Sequence, residues 1–342
     1  MKKKILVTGG AGYIGSHTIL ELLIENKFEV ICLDNYSNSN EEALLAVEKY
    51  TNKSITKLSL DLCDYDSLKN SLQPFVNQII GVIHFAALKA VGESVSIPTK
   101  YYQNNLGSML NVLNYCEEIG IQHFIFSSSC SVFGDLDSSL LPVKETTPTS
   151  ITQSPYAETK SMGERILNDV SKNNKIKALS LRYFNPVGAH VSNIIGENPK
   201  AIPNNLVPVI CKSALGKIPK MSVFGNDYST RDGSCIRDYI HVVDIAKAHV
   251  LALNYLVDVQ KENYEVINLG TGNGVSVLEA IEAFEKISNQ KLDYILAPRR
   301  SGDIEAVYSD SSKAKELLNW EATSSIEDMM LSAWNWERKL ND

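Results

Sequence analysis

The chain has no apolar run long enough to cross a membrane and no excess of basic charge. A membrane-spanning helix needs about 20 consecutive apolar residues, and no stretch approaches that length. The formal net charge is −7, which argues against the basic surface with which proteins bind nucleic acids. We therefore expect neither a membrane nor a nucleic acid as a partner.

The chain also lacks closely spaced cysteines. Its six cysteines are scattered, and none has the C-x-x-C spacing of metal and redox sites. The basic start, Met1–Lys4, is followed by an apolar run that breaks at Thr8, too early for a secretory signal. These features predict reduced cysteines, no metal site and a cytoplasmic protein.

The chain does contain ample apolar material for a core. Its 342 residues are 44% hydrophobic and 21% charged, which is typical of a soluble globular protein. The length suggests two domains, or one large domain with a lobe. No internal repeat, low-complexity tract or long linker interrupts the pattern.

A glycine-rich turn is the strongest local motif. It joins an apolar strand, Ile5–Val7, to a segment with apolar residues at helical spacing. Glycines let the backbone turn sharply and approach a pyrophosphate, and the N-terminus of the following helix presents free N–H groups to the phosphates. Three glycines alone are also compatible with an ordinary strand–helix turn. The residues of this turn predicted to bind a dinucleotide are Gly9, Gly12, Tyr13, Ile14 and Gly15.

An acidic residue at the end of the second strand strengthens this prediction. Asp34 follows the apolar strand Glu29–Leu33, about 20 residues past the glycines, as in dinucleotide-binding folds. A carboxylate there accepts both ribose hydroxyls and repels a 2′-phosphate, so we predict NAD rather than NADP as the cofactor. The polar loop that follows supplies three more candidates, Asn35, Ser37 and Asn38.

Later strand ends supply further candidate cofactor contacts. Asp61 and Leu62 follow a third strand, residues 55–60, where a polar residue would meet the adenine; a capping role for the helix after Asp64 is the alternative. A fourth strand ends in Phe85, and the small residues that follow it leave room for a cofactor. The remaining candidates are Ala86, Ala87, Lys89 and Asn104. The alternative for Lys89 is a solvated lysine in a loop. Asn104 lies in a long helical segment, and we expect either Asn104 or Asn105 to bond to backbone at the end of an adjacent strand.

Hydroxyl groups cluster where the fifth strand ends. Residues 123–126 form this strand, and Ser127, Ser128 and Ser129 follow it, where open α/β sheets bind their ligands. A later helix carries Tyr156 and Lys160, which are four residues apart and therefore share one helix face. Serines in a loop and a Tyr–Lys pair on a helix are often without function, so the signal lies in their combination with the dinucleotide turn.

Strands alternate with helices as far as Phe184, which predicts an α/β fold with a Rossmann-type doubly wound parallel sheet. Shorter, Pro- and Gly-rich segments follow, and they predict a smaller α/β substrate-binding lobe. We expect residues 1–184, joined by about 238–268, to form the NAD-binding domain and the rest of 185–342 to form the lobe. Asp244 is predicted to cap one helix of this region, and Ser276 with Glu279 to form a capping box.

These motifs together resemble the UDP-glucose 4-epimerase family of extended short-chain dehydrogenases/reductases, over nearly the whole chain. The glycine spacing is G-x-x-G-x-x-G, as in the extended members of that superfamily. Two departures occur: Cys130–Gly134 stands where the family usually has Ala-Thr-Val-Tyr-Gly, and Ala87 replaces a usual glycine. The matching segments are Gly9–Gly15, His84–Ser94, Ser127–Ser129, Tyr156-x-x-x-Lys160, Leu181–Ala189, Ile202–Leu206 and Arg237–Val242.

The resemblance implies a reaction and roles for its residues. Epimerisation at C4 removes a hydride to NAD and returns it to the opposite sugar face, while a base takes the 4-hydroxyl proton. A free tyrosine, with a pKa near 10, is a poor base at pH 7, so we expect Lys160 and the nicotinamide charge to lower the pKa of Tyr156. The resemblance implies that Tyr156 is the base and that the Ser129 hydroxyl bonds the substrate O4. It also implies that Lys160 lowers the pKa of Tyr156 and binds the nicotinamide ribose.

By the same resemblance, a UDP-sugar is the substrate and a homodimer is the expected assembly. Phe184 is assigned to the cofactor. The alternative to substrate binding by Arg237 is a structural ion pair with Asp238. Arg299 and Arg300 are adjacent, so the alternative for one of them is a solvated side chain without a role in binding. The residues assigned to the UDP-sugar, besides Ser129 and Tyr156, are Asn185, Asn205, Leu206, Phe224, Arg237, Arg300, Asp303 and Val307.

Three other functions share this fold. A nucleotide-sugar 4,6-dehydratase needs an Asp-Glu pair beside the hydroxyl residue, where this chain has Cys130 and Ser131. Non-catalytic NAD-binding regulators lose the Tyr–Lys pair, which this chain keeps. A UDP-uronate epimerase needs an added basic contact for its carboxylate, which sequence alone does not exclude. By the family resemblance, the position of Val307 borders the sugar pocket near C2, where a tyrosine is typical of the forms restricted to UDP-glucose and UDP-galactose. The absence of a ring at Val307 therefore implies partial acceptance of UDP-N-acetylhexosamines, whereas a one-residue shift would place Tyr308 in this pocket.

Overall fold

The computed structural model describes residues 2–149, 152–172, 175–200, 205–300 and 303–341. The chain divides into two compact units. The first comprises Met1–Gly134, Pro148–Arg182 and Ala246–Ile267, and the second comprises Asp135–Thr147, Tyr183–Ile245 and Asn268–Asp342. The segment Asp135–Thr147, which the sequence pattern places in the first domain, therefore clusters with the second unit.

Strands and helices alternate along the first half of the chain. They are β1 (Lys4–Thr8), α1 (Tyr13–Glu25), β2 (Glu29–Asp34), α2 (Glu42–Thr51), β3 (Thr56–Ser59), α3 (Tyr65–Leu72), β4 (Ile79–His84), α4 (Val91–Ser96), α5 (Pro98–Ile119), β5 (His123–Ser129), α6 (Pro155–Ser171) and β6 (Lys177–Tyr183).

Shorter strands are more frequent in the second half. The elements are β7 (Asn185–Val187), α7 (Leu206–Ala214), β8 (Met221–Phe224), β9 (Ile236–His241), α8 (Val242–Asp258), β10 (Tyr264–Leu269), β11 (Gly274–Ser276), α9 (Val277–Ser288), β12 (Tyr294–Ala297), β13 (Ala306–Val307), α10 (Ser312–Leu318) and α11 (Ile326–Lys339).

The first unit is built on a seven-stranded sheet in the order β10-β6-β5-β4-β1-β2-β3. The pairings of β1 with β2 and β4, of β2 with β3 and of β4 with β5 are parallel. The order 3-2-1-4-5-6 is that of doubly wound dinucleotide-binding sheets, so the predicted Rossmann-type fold is confirmed. Because β1, β4 and β5 are parallel, their carboxyl ends lie at one edge of the sheet.

Burial explains why these segments form the central strands. All five residues of β1 are buried, as are five of the six in β2, because helices cover both faces of a doubly wound sheet. The strand β5 continues through Ser129, so the prediction that it ends at Phe126 was wrong. Ser127 and Ser128 are buried, and strand pairing extends the element past its apolar part.

The second unit contains a sheet in the order β11-β9-β13, with β7 paired to β9, and a two-stranded sheet of β8 and β12. Its core packs α7, α9 and α11 together, with Phe284 edge-on to Trp334 at 5.4 Å between ring centroids. The predicted capping box of Ser276 and Glu279 is confirmed.

The predicted capping role of Asp244 was wrong. The helix α8 starts at Val242, so Asp244 lies inside its first turn. The buried Asp244 carboxylate instead accepts hydrogen bonds from the Thr323 hydroxyl at 3.0 Å and from the main-chain N–H groups of Thr323 and Ser324. A long-range contact within the second unit has displaced the local one.

Candidate active site

The glycine turn after β1 is packed too tightly for side chains. A Cβ atom on Gly15 would lie 2.4 Å from the carbonyl oxygen of Gly9, and one on Gly9 would lie 2.7 Å from the Ala86 nitrogen. Gly9 also has a φ of 67°, which favours glycine. Helix α1 then begins after Gly12 with no side-chain cap and no acidic residue in its first turn. Tyr13 and Ile14 are the first two residues of this helix, and a helix N-terminus without a side-chain cap favours an anion.

Asp34 is fixed against this turn. Its Oδ2 accepts a hydrogen bond from the Ala11 N–H at 3.0 Å, and its Oδ1 accepts bonds from the Tyr36 N–H and the Ser39 hydroxyl, both at 2.9 Å. The carboxylate is 8% exposed. A carboxylate has about four acceptor positions, so Asp34 is held by the chain and retains capacity for a ribose hydroxyl.

The residues predicted to bind the cofactor after β2 and β3 lie in exposed loops or in the core. Asn35 accepts from the Ser37 N–H at 3.0 Å, and Asn35, Ser37 and Asn38 are all exposed. Asp61 accepts from the Cys63 N–H at 2.9 Å, whereas Asp64 caps α3 by accepting from the Ser67 N–H. The alternative capping role considered for Asp61 therefore belongs to Asp64.

The neighbouring candidates differ in their burial. Leu62 is 5% exposed and packs in the core of the first unit. Asn104 donates to Asn105, whose Oδ1 also accepts from the Leu88 N–H at 2.8 Å while its Nδ2 donates to the Leu88 carbonyl. The predicted bond from one asparagine of α5 to backbone after a strand is thus made by Asn105.

The segment after β4 carries four candidates, of which Phe85 and Ala86 lie against the glycine turn. The Phe85 N–H donates to the Thr8 carbonyl, and the Phe85 ring lies 4.7 Å from His249 between centroids. Ala86 and Ala87 are partly exposed and Lys89 is exposed. Because Ala86 is in backbone contact with Gly9, β1 and β4 end together at the same edge of the sheet.

Helix α6 brings Tyr156 and Lys160 to the carboxyl end of β5. Ser154 caps the helix by accepting from the Ala157 N–H, and Pro155 occupies its first turn. Lys160 is 3% exposed and donates from Nζ to the Ser127 carbonyl at 2.6 Å. Its Nζ lies 5.9 Å from the centroid of the Tyr156 ring.

Ser129 connects this pair to the loop after β5. Its hydroxyl oxygen accepts bonds from the N–H and the hydroxyl of Ser131 at 3.2 and 3.0 Å. Burial raises the pKa of Tyr156 to about 12, and a side-chain hydrogen bond with Ser129 opposes this increase. Burial lowers the pKa of Lys160 to about 7, against the charge of Glu164. Without a bound cofactor, burial therefore raises the pKa of Tyr156, whereas the sequence analysis expected Lys160 and the nicotinamide charge to lower it.

Two buried charged residues near this pair were not predicted. Glu164 lies one turn after Lys160, and Arg182 lies on β6; they form an ion pair with Nε and Nη2 of Arg182 at 2.8 and 2.6 Å from the two carboxylate oxygens. The spacing of four residues from Lys160 is a signal for Glu164. Arg182 is a charged residue in a mostly apolar strand, but no local pattern identifies Glu164 as its partner.

In the second unit, the structure brings three substrate candidates together. Arg300 pairs with Asp303 at 2.9 Å, and its guanidinium carbon lies 5.4 Å from the Phe224 ring centroid. Arg299 pairs with Asp227 at 2.7 Å and lies 4.0 Å from the Tyr228 ring centroid. Both arginines are thus fixed by a carboxylate and an aromatic ring, and neither is merely solvated.

Arg237 and Val307 are neighbours on paired strands, in register between β9 and β13. Asp238 points elsewhere: it is fully buried and accepts from Thr271, Gly272 and Ser309. The alternative ion pair of Arg237 with Asp238 is therefore not formed, and Arg237 donates to the Ile236 carbonyl at 2.8 Å. Val307 is 3% exposed.

The remaining candidates of the second unit lie around β7 and at the start of α7. Phe184 is buried. Asn185 begins β7, and its buried Oδ1 has no hydrogen-bond partner among the described residues. Asn205 precedes α7 and donates weakly to Glu197 at 3.4 Å, while Leu206 begins the helix and packs on the core. Residues 202–204 of the predicted motif, and Ser301 and Gly302, lie outside the described residues.

The first unit fits an NAD molecule. The turn at Gly9 and Gly15 is packed against its own backbone, as the tight strand–helix turn of a dinucleotide site requires, and the N-terminus of α1 has no side-chain cap. The Asp34 carboxylate follows β2 in the place of the ribose acceptor. Among the residues described, no helix is long and apolar enough to cross a membrane.

The chain also matches known proteins over nearly its whole length. A family model described as GDP-mannose 4,6 dehydratase matches residues 6–332. The UDP-glucose 4-epimerase of Bacillus subtilis (strain 168) is 48% identical over 334 residues, which cover 97% of this chain and 96% of that protein. Cys130 and Ser131 lack the carboxylic acids that a dehydratase requires at these positions, so the epimerase is the relevant branch.

Solved structures extend the comparison to the fold. A UDP-glucose 4-epimerase from Bifidobacterium longum, in complex with NAD⁺ and UDP, has a TM-score of 0.93 at 46% identity, and the match covers 98% of each chain. A UDP-Glc/GlcNAc 4-epimerase from Campylobacter jejuni has a TM-score of 0.84 at 38% identity, covering 98% of this chain and 99% of that one. The chain therefore belongs to the UDP-glucose 4-epimerase family of extended short-chain dehydrogenases/reductases.

Proposed function

We propose that the protein is an isomerase that interconverts UDP-glucose and UDP-galactose with a resident NAD. The observation that carries this proposal is the arrangement at the end of β5, where Ser129, Tyr156 and Lys160 lie within one cluster of the first unit. The UDP-glucose 4-epimerase relatives and the neighbour containing NAD⁺ and UDP support the same reaction.

Residues of the first unit hold the cofactor. The N–H groups at the start of α1 bind its pyrophosphate, and Asp34 accepts a ribose hydroxyl. A bound NAD would supply the hydride acceptor for C4 of the sugar and the hydride donor for its return. Lys160 binds the nicotinamide ribose and places a positive charge near Tyr156.

Tyr156 and Ser129 handle the proton of the 4-hydroxyl. The Ser129 hydroxyl bonds the substrate O4, and the Tyr156 oxygen takes the proton as the C4–H bond breaks. The same proton returns to O4 when the C–H bond re-forms on the other face. Because burial raises the pKa of Tyr156 to about 12 in the chain alone, the base needs a nearby positive charge to work near neutral pH.

The second unit binds the UDP part of the substrate. Guanidinium groups fit a diphosphate because their forked donors match its oxygens. We assign this role to Arg237 and Arg300, with Asp303 orienting Arg300. The unpartnered Oδ1 of Asn185 supplies an acceptor. The remaining substrate contacts are proposed for Asn205, Leu206, Phe224 and Val307.

Two further properties are part of the proposal. Exposed apolar side chains on and beside α4 and α5, namely Val91, Val95, Ile97 and Leu110, favour a homodimer through these helices. All six cysteines are unbridged, which favours a cytoplasmic enzyme. Sedimentation equilibrium of the wild type and of Leu110→Glu tests the dimer, since the charged variant is expected to be monomeric.

The experiment that tests the function is turnover of UDP-galactose by the purified protein without added cofactor. We expect UDP-glucose as the product and NAD in the supernatant after denaturation. A 4-keto-6-deoxy sugar product would indicate a dehydratase, and a protein that retains NAD but converts neither sugar would indicate a non-catalytic NAD-binding protein. NADP in the supernatant would contradict the role of Asp34.

A further inference from the structure

A buried ion pair lies one helical turn from Lys160. The Glu164 carboxylate accepts both Nε and Nη2 of Arg182 and also the Ser128 hydroxyl. Lys160, Glu164 and Arg182 are 3%, 8% and 5% exposed, so all three charges are inside the first unit. Glu164 therefore shares one face of α6 with Lys160, but its ion-pair partner is Arg182 of β6.

The lysine does not pair with this carboxylate. Residues four apart on a helix are neighbours, yet no ion pair joins Lys160 to Glu164, both of which are described. Two parallel bonds from one guanidinium occupy both carboxylate oxygens. The Lys160 ammonium donates instead to the carbonyl of Ser127, which lies on β5, the strand that ends at Ser129.

Close packing of α6 on the sheet holds this geometry. A Cβ atom on Gly163 would lie 2.6 Å from Cζ of Phe126, so the helix approaches β5 where a side chain has no room. The Lys160 Nζ lies 4.9 Å from the centroid of the same Phe126 ring. On β6, the Arg182 guanidinium lies 5.0 Å from the Phe133 ring, which fixes the arginine as well.

We propose that the Glu164–Arg182 pair is a positioning device for Lys160: Arg182 occupies the Glu164 carboxylate, and the lysine ammonium thereby remains at the Ser127 carbonyl, facing Tyr156. Glu164 and Arg182 touch neither substrate nor cofactor in this proposal, which rests on the proposed role of Lys160. Removing Arg182 would release a buried carboxylate one turn away, and the ammonium would pair with it.

The other titratable groups near Lys160 do not replace this carboxylate. Burial lowers the pKa of His84 to about 3, so its ring is neutral. Burial also raises the pKa values of Tyr101 and Tyr156. Glu164 is the carboxylate whose charge acts on Lys160. The groups that face this end of α6 are His84 of β4, Tyr101 of α5, Cys130 after β5 and Tyr156 of α6 itself, and Tyr264 of β10 faces the Glu164–Arg182 pair. Glu93 of α4 is held instead by Lys100 and the Tyr101 hydroxyl.

The test compares Glu164→Gln, Arg182→Met and the double variant. Loss of the carboxylate disfavours the charged lysine, so the Lys160 titration moves to lower pH in Glu164→Gln, by roughly one pH unit. Loss of the arginine moves it to higher pH by a similar amount. The double variant removes a neutral pair and returns the titration close to that of the wild type.

Two readouts follow this titration. One is the pH profile of kcat/KM for UDP-galactose, and the other is the Nζ chemical shift of Lys160 in ¹⁵N-lysine-labelled protein, assigned by its loss in Lys160→Met. The exposed pair of Glu158 and Arg165 on the same helix, at 2.6 Å, supplies matched controls. Glu158→Gln and Arg165→Met are expected to shift neither readout.

Opposite shifts in the single variants support the proposal. Unmoved titrations, or shifts in the same direction, overturn it and leave the pair as a purely structural contact. If Arg182→Met does not fold, the proposal is tested with Glu164→Gln and the double variant. Adding Arg182→Met to Glu164→Gln must then reverse the shift in the Lys160 titration that Glu164→Gln causes alone. A protein that does not epimerise UDP-galactose refutes the proposed function. The Nζ chemical shift of Lys160 is measured without turnover, so its pH titration still tests the effect of the Glu164–Arg182 pair on Lys160.

Discussion

The Lys160 Nζ atom lies 5.9 Å from the centroid of the Tyr156 ring, one helical turn away on α6. The lysine is tied to the Ser127 carbonyl and the tyrosine is hydrogen-bonded to Ser129. Both partners belong to the end of β5, so one strand fixes both members of the pair. The chemistry proposed for the site depends on this shared anchor.

Tyr156→Phe is expected to remove most of the turnover and to leave UDP binding nearly unchanged. The hydroxyl is needed for proton transfer, which a positioned base accelerates by about 10²–10⁴-fold. The measurement pairs kcat with the affinity for UDP from calorimetry. Ser129→Ala should cost less than both changes together, although the effects need not multiply. A rate near that of the wild type in Tyr156→Phe would place the base elsewhere.

Gly15→Ala is expected to lower NAD retention and stability together. The added Cβ atom would lie 2.4 Å from the Gly9 carbonyl oxygen, so the turn or the helix must move. Gly107→Ala is the matched control, because in α5 the nearest atom to its new Cβ, the Cys63 sulfur, is 3.8 Å away. This control should gain roughly 0.5–1 kcal/mol in helix stability. Equal NAD content in the two purified variants would contradict the role of the turn.

Acid destabilisation is expected to depend in part on His84. Burial lowers its pKa to about 3 in the folded protein, whereas the unfolded value is about 6.5. Between these values the unfolded chain binds a proton that the folded chain does not, so stability falls as the pH falls below about 6.5. The loss is about 1.4 kcal/mol per pH unit until about pH 3.

His84→Gln removes this titration. Its amide can still meet the Thr8 hydroxyl, which lies 2.8 Å from the histidine Nδ1. Urea unfolding at pH 7.5 and pH 5 should show a larger decrease for the wild type than for the variant, by about 2 kcal/mol. Parallel decreases in the two proteins would show that other groups control the acid response.

Val307 is expected to allow slow epimerisation of UDP-N-acetylglucosamine. It lies beside Arg237 in the β9–β13 pairing and has no ring. The Tyr308 ring is engaged elsewhere, because a Cβ atom on Gly274 would lie 2.9 Å from its Cδ1. The fit of an acetamido group is worth about 1–3 kcal/mol, so the preference should be graded.

The measurement is the ratio of N-acetylated to plain substrate turnover in the wild type, Val307→Tyr and Val307→Ile. The tyrosine is expected to reduce the ratio, and the isoleucine, which has no ring, to change it little. Absence of N-acetyl turnover in the wild type, beside robust UDP-galactose activity, would refute the prediction. An unchanged ratio in Val307→Tyr would assign the pocket size to another residue.

Local signals were sufficient to predict the parts of the fold made of contiguous residues. The apolar strands β1 and β2, the glycine turn and the capping box at Ser276 follow from spacing and composition, because each depends on residues near in sequence. The prediction for Asp244 was wrong because its acceptors are engaged by Thr323 and Ser324, far along the chain. Local capping preference carries no information about such a partner.

The candidate site shows the same limit. Tyr156 and Lys160 were found from their spacing, but the pairing of Arg182 with Glu164 has no signal in sequence, since only the packing of α6 and β6 brings the two residues together. The pKa of Tyr156 also depends on burial, which spacing does not reveal. Chemistry that depends on tertiary packing was therefore the part that the sequence analysis missed.

The place of β10 in the sheet has a consequence for synthesis on the ribosome. This strand pairs with β6, yet about eighty residues separate the end of β6 at Tyr183 from Tyr264. At 5–20 residues per second, translation leaves the β6 edge unpaired for roughly 4–16 seconds. An unpaired edge is a template for another chain, so nascent chains on one polysome are at greatest risk of co-aggregation in this interval, and slow codons between β6 and β10 should lower the yield of folded protein.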